Sequence, residues 1–303
     1  MLDPTDLYDI SADLPAGLGS PILIQALDGF VDAGQVRELV HSHLLGSSAP
    51  QVVVSFDVDQ LLDYRARRPY LTFVEDRWTA YDEPRLDIVA LRDAQGTPYL
   101  LLAGPEPDFQ WDRFSEAVRQ VIERLGVRLT VGVNAIPMGV PHTRPIGITA
   151  HASRKELIEG YQPWVASVQV PGSAGHLLEH RLATAGHDSM GFAVHVPHYL
   201  AQAAYPPGAE ALVRAVGRAT GLTLSVGALE ESSREAQESI AALVGQSEEL
   251  TELVRNLEEQ YDAVVADRGT SLTEAASLPT GDELGAELER FLAERGNKRD
   301  DPL

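Results

Sequence analysis

At 303 residues and 44% hydrophobic side chains, the chain can bury one large core or two ordinary ones. It contains no cysteine, which excludes disulfides, thiolate nucleophiles and cysteine-ligated metals. A net charge of −21 with no basic patch, an acidic start, and no apolar run of the ~18 to 20 residues a membrane span needs lead us to expect a cytoplasmic protein that binds neither nucleic acid nor membrane.

After a polar lead, residues 21–27 (PILIQAL) read as a buried strand of a mainly parallel sheet. Residues 28–34 then turn into a helical pattern through Val36, Leu39, Val40, His43 and Leu44, with Asp32 as its N-cap. A strand is expected at 51–59, with Asp57 and Asp59 at its C-terminal end, followed by a short arginine-rich helix at 60–67. From 70 to 103 the pattern alternates, which suggests an antiparallel insertion or a sheet edge. Trp111, Phe114, Val118, Val121, Ile122 and Leu125 mark an amphipathic helix over 111–125, which delivers the chain to a strand at 129–133.

Asn134 opens a loop punctuated by Pro137, Pro141 and Pro145. Proline fixes φ and withdraws a backbone donor, so no sheet pairing is expected here before a second apolar run at 146–150. A stiff loop carrying His142, Thr143 and Arg144 is a place where function collects. A short helix at 153–158, a strand at 164–170, a helix at 173–184, a strand at 190–196 and a helix from about 208 to 219 follow. This alternation argues for a three-layer α/β/α sandwich. Ligands of such sheets lie beyond the C-terminal ends of the strands, where residues 28–34, Asp57, residues 134–144 and His198 would fall.

The last quarter is helical in pattern. Positions 233, 236, 240, 243, 247, 250, 254, 257, 261 and 264 keep a three-and-four spacing, a heptad-like seam on one long helix. Thr280 and Glu283 match a capping box for a second helix that would bury Leu284, Leu288, Phe291 and Leu292. Residues 226–303 hold 19 acids and 7 bases, hence −12 of the −21. We place a boundary near Val226, giving a core domain of 1–225 and a C-terminal helical hairpin of 226–303. The hairpin either packs on its own domain or forms an oligomer contact.

Asp28-Gly29-Phe30 with Asp32-Ala33-Gly34, Pro141-His142-Thr143-Arg144-Pro145 and Val196-Pro197-His198-Tyr199 together resemble the proteasome assembly chaperone 2 family (PAC2, also DUF75). They look most similar to its actinobacterial-type members, over most of residues 20–220. The resemblance implies a phosphorylase/hydrolase-like α/β/α fold, assembly into a homo-oligomer, and proteasome subunits as protein partners, as for eukaryotic and some archaeal relatives. Proteasome-binding relatives often end in a hydrophobic-Tyr-any tripeptide; this chain ends Asp301-Pro302-Leu303, so docking through those residues is not expected. Bacterial members have also been linked to ATP-grasp ligases. That chemistry needs lysines on the nucleotide phosphates, and of the two lysines here, Lys155 and Lys298, only Lys155 lies outside the tail.

The candidate binding residues are therefore Asp28, Asp32, Gly34, Asn134, His142, Thr143, Arg144, His198 and Tyr199. Asp28 and Asp32 flank a turn at which a cation or hydroxyl-bearing ligand would sit, or Asp32 simply caps the helix and Gly34 allows close packing. Arg144 with His142 would bind a carboxylate or phosphate, or Arg144 ties the loop to Asp28, Asp57 or Asp59. His198 and Tyr199 would form an acid/base pair, or a hydrogen-bonded rim. His176, Glu179 and His180 match H-x-x-E-H but lack a third-ligand motif, and the neighbouring leucines suit an ordinary helix packed on the sheet. With no nucleophile motif, no metal cluster and no nucleotide loop, no cofactor and no catalytic residue are expected. A non-catalytic assembly or interaction protein is the reading favoured over a small-molecule binder or enzyme that uses a polar pocket at the sheet's C-terminal edge.

Overall fold

The computed structural model describes residues 2–29, 31–161 and 167–268. Ten strands and six α-helices are described: β1 (Tyr8–Ile10), β2 (Ile22–Asp28), α1 (Val36–Gly46), β3 (Gln51–Phe56), β4 (Leu71–Val74), β5 (Arg77–Tyr81), β6 (Asp87–Arg92), β7 (Pro98–Pro105), α2 (Trp111–Leu125), β8 (Leu129–Met138), β9 (Ile148–Ala152), α3 (Ala174–Thr184), β10 (Ser189–Pro197), α4 (Pro206–Thr220), α5 (Gly227–Gly245) and α6 (Glu248–Arg268). Eight of the strands form one sheet in the order β1-β3-β6-β7-β2-β8-β10-β9. Its centre, β7-β2-β8-β10, is parallel. Both flanks are antiparallel. The sheet is therefore mixed rather than mainly parallel.

Alternation along β2 divides the interior into two cores. Ile22, Ile24 and Ala26 pack with Val36, Val40 and Leu44 of α1, with Leu212, Val213 and Val216 of α4, and with Leu229 and Ile240 of α5. Leu23 and Leu27 pack on the other face with Phe114, Val118, Val121 and Ile122 of α2 and Leu178 and Leu182 of α3. A strand buried on both faces reads as a nearly continuous apolar run, and β2 does so with one exception. Gln25 has the parity of Leu23 and Leu27, so it faces α2 and α3.

Several expectations are corrected. The strand expected at 51–59 stops at Phe56, because the Asp57 side chain accepts the Asp59 N–H and closes a 3-10 turn over Val58–Gln60. Residues 60–67 form turns rather than an arginine-rich helix. There Asp63 takes the Arg65 N–H and Asp108 takes the Asp63 N–H, local bonds that compete with helix formation. The 70–103 stretch divides in two. β4 and β5 make a hairpin outside the main sheet, while β6 and β7 enter it and β7 lies parallel beside β2, well away from an edge.

β8 also runs on through Asn134 and Pro137 to Met138, pairing Pro137 with Val196, so the loop begins five residues later than expected. Beyond Ala135 it has only β10 as a neighbour, the edge-like position that tolerates proline. Residues 167–170 are not a strand, and 162–166 lie outside the described residues, as do Phe30 and the helix expected from Thr280. The single seam helix is two helices, α5 and α6, interrupted after Gly245; Ser247 caps α6 by accepting the Leu250 N–H.

Candidate functional site

The nine residues expected to cluster fall into separate environments. At the end of β2, Asp32 spreads its carboxylate over the first turn of α1, taking the Arg37 N–H at 2.8 Å and the Glu38 N–H at 3.1 Å. It thus caps the helix from five residues upstream, while Gln35 sits at the boundary itself. Arg37, almost wholly buried, pairs with Asp28 at 2.5 Å and Asp32 at 3.4 Å. Burial raises the Asp28 carboxyl above the ordinary aspartate value, against the pull of Arg37. Gly34 adopts φ +68°, and a Cβ there would lie 2.7 Å from Cβ of Tyr205. It exchanges backbone hydrogen bonds with Ala201 and Tyr205, which locks the turn onto the start of α4.

The 139–147 loop is bound to α6. Arg144 makes a bidentate pair with Asp262, at 2.8 and 2.7 Å, and reaches Glu258 at 3.1 Å. Thr143 donates to Glu258, and the Tyr261 hydroxyl donates to the Pro145 carbonyl at 3.2 Å. His142 is held by Tyr199, whose hydroxyl accepts the His142 N–H at 3.0 Å and lies 2.7 Å from Nδ1. Burial pushes the His142 pKa below the ordinary histidine value. His198 is exposed beside Tyr199, ring centroids 5.5 Å apart. His142 and Arg144 are thus engaged within the chain, and the partners of Arg144 are on α6, not Asp28, Asp57 or Asp59.

A cavity of about 210 Å³ lies elsewhere, where β2, β8 and the first turn of α3 converge. Gln25, Glu106, Asn134, His151, His176 and Glu179 line it, with Arg37 at one side; of the nine expected residues only Asn134 is present. Glu179 Oε2 lies 2.5 Å from Nε2 of His151. Burial pushes His151 down, and the Glu179 hydrogen bond and charge together outweigh it, so the imidazole pKa stands above the ordinary histidine value. Glu106, 6% exposed, accepts the Ala174 N–H at the start of α3. From the H-x-x-E-H string, His176 and Glu179 reach the cavity, and Glu179 gives one of its two carboxylate oxygens to His151. Among the described residues no group of three or more His, Asp or Glu is arranged to hold a metal. None of the described helices is long and apolar enough to cross a membrane.

Sequence reasoning missed Arg37, Gln25, Glu106 and His151. A glutamine inside an apolar strand was the available signal for Gln25, and an arginine one turn beyond Asp32 for Arg37. Glu106 and His151 come from distant parts of the chain and meet only through the sheet order.

A model of the PAC2 family matches residues 26–244. Among solved structures, the Mycobacterium tuberculosis unknown-function protein Rv2714 is 47% identical, with a TM-score of 0.82 over 87% of this chain and 91% of that one. A protein of unknown function from Corynebacterium glutamicum is 35% identical, with a TM-score of 0.81 over 86% and 98%. The M. tuberculosis proteasome-assembly chaperone homologue Rv2125 is 24% identical, with a TM-score of 0.71 over 77% and 99%, a likeness of fold. No curated protein matches the chain.

Proposed function

From the premise that the chain belongs to the PAC2 family, we propose that it is a non-catalytic, homo-oligomeric interaction protein acting in protein-complex assembly, with free proteasome subunits as partners. The family match supports the assembly role, and so does the fold shared with a proteasome-assembly chaperone homologue. One observation carries the interaction reading: the β4–β5 hairpin. Every residue of both strands is exposed. Tyr70, at 81%, Trp78, at 65%, and Leu71, Phe73, Val74 and Tyr81 present apolar surface to solvent. An isolated two-stranded hairpin is marginal in water. Six large apolar side chains expose several hundred Å², roughly the patch size that marks a contact and most of the ~800 Å² per partner of a stable interface. We assign this surface to a second copy of the chain, which leaves the rest of the α/β sandwich for proteasome subunits.

Native mass spectrometry of the purified chain, alone and mixed with α and β proteasome subunits from the same source, tests this. A defined homo-oligomer that captures free subunits and ignores the finished particle is the expected result. A monomer that binds neither subunit overturns the proposal.

A further inference from the structure

The polar cavity is independent of the hairpin and of α6, and it is built rather than left over. On the α3-facing side of the sheet, Gln25 and Gly132 are paired neighbours on β2 and β8, and Gly191 lies opposite His151 across β10 and β9. A Cβ at Gly132 would collide with Oε1 of Glu179, one at Gly191 with the His151 ring, and one at Gly175 of α3 with the Gln25 amide. Three glycines thus hold open a floor of polar groups where a sheet face would ordinarily carry apolar side chains.

Buried polar groups are normally hydrogen-bonded, because leaving one unsatisfied is costly. Gln25 is only 7% exposed, lines the cavity, and makes no side-chain hydrogen bond to any described residue. Glu106 spends Oε1 on the Ala174 N–H, and Oε2, beside Gly29, accepts nothing from the described residues. Glu179 spends Oε2 on His151 and leaves Oε1 over Gly132. The lining cations are already in ion pairs, Arg37 through its terminal nitrogens with Asp28 and Asp32, and His151 with Glu179. Unfilled donors line the cavity as well, Nε of Arg37 and the amide N–H groups of Gln25 and Asn134, but Glu106 has no ion-pair partner among the described residues, and its unpaired charge disfavours an anion. Leu27 and Ile136, on the same face of the sheet as Gln25 and Gly132, supply apolar walls. The volume of about 210 Å³ equals roughly seven waters at ~30 Å³ each, enough for an organic molecule of about ten non-hydrogen atoms.

The geometry points to a binding site for a small organic cation, an amine, amidine or guanidinium on a short apolar body, whose N–H groups are taken by Glu106, Gln25 and Glu179. This goes beyond the assembly role and stands or falls separately from it.

The test uses the full chain and three probes of nearly equal shape: benzamidine, benzamide and benzoate. Binding is followed by titration calorimetry and saturation-transfer NMR. Benzamidine should bind at least tenfold more tightly than benzamide, with benzoate undetectable. Glu106→Gln, which keeps an acceptor for Ala174 N–H, and Gln25→Leu, which suits an apolar strand, should each weaken benzamidine at least tenfold while the circular dichroism spectrum and oligomeric state stay unchanged. Benzoate binding as well as benzamidine, no benzamidine binding at millimolar concentration, or benzamidine binding that neither variant alters would each overturn the assignment. If one variant fails to fold, the other decides.

Discussion

Arg37 ties the turn after β2 together by pairing with both Asp28 and Asp32. Removing one partner of a buried ion pair costs about 3 to 5 kcal/mol, and solvent at the half-exposed Asp28 carboxylate reduces that here. Arg37→Ala should therefore lower stability by about 2 to 4 kcal/mol in urea denaturation, whereas Glu38→Ala, one residue on and exposed, should change it by under about 0.5 kcal/mol. His151 provides a pH signature. Its folded pKa is raised, so its contribution is fully present below ~6.5, the unfolded value, and is lost as pH rises through the folded value. The stability difference between the native chain and His151→Gln should be largest below that pH and shrink above it. His142, whose pKa burial lowers, pulls the other way in both proteins and cancels in the difference. At this scale the sequence was legible where the partner is local: Asp32 lies within five residues of the N–H groups it caps. It was silent where the partner is remote, as for Glu179 and His151, 28 residues apart and joined only through β10.

At the scale of elements, strongly periodic segments were readable. The spacing of Trp111 through Leu125 gave α2 with its boundaries, and the apolar run at 21–27 gave β2 shifted by one residue. Misreadings arose where side-chain chemistry or neighbours override local preference. Pro137 sits in a strand because that stretch of β8 has a partner on only one side, and the apparent helix at 60–67 is undone by aspartates that bond the backbone. α6 offers a direct test of what holds it. Val254 and Leu257 are buried, but the specific clasp is ionic, from Arg144 to Asp262 and Glu258. Arg144→Ala should speed amide hydrogen exchange in α6 several-fold and leave β2 and β8 unaffected; equal protection in both proteins would assign the docking to the apolar contacts and the Thr143 and Tyr261 hydrogen bonds. Pairing with Arg144 holds the Asp262 carboxyl below its ordinary value. The clasp is thus present above the ordinary carboxylate range and lost as pH falls through the lowered value, so α6 should gain exchange only once the pH drops below the ordinary aspartate value.

For the whole molecule, the class of fold and the family were legible because strand-helix alternation and the Pro-His-Thr-Arg-Pro string survive in one chain. The mixed order of the sheet was not, since register between distant strands leaves no local trace. The hairpin was legible as an antiparallel insertion but not told apart from a sheet edge, because alternating strands look alike inside and outside a sheet. If the hairpin joins copies, Phe73→Ser with Trp78→Ser should reduce the oligomer to monomers in sedimentation velocity without changing the circular dichroism of the core; an oligomer that persists would move the interface elsewhere. The sheet order also has a consequence in time. β2, the apolar centre strand, leaves the ribosome with neither neighbour made: Leu23 and Ile24 wait for Leu100 and Leu101, and then for Thr130 and Val131. At ~5 to 20 residues per second, that first interval lasts about four to fifteen seconds. Throughout it an apolar strand of the nascent chain lacks both of its native neighbours, so synthesis rate and chaperone supply should govern the soluble yield more than the stability of the finished fold does.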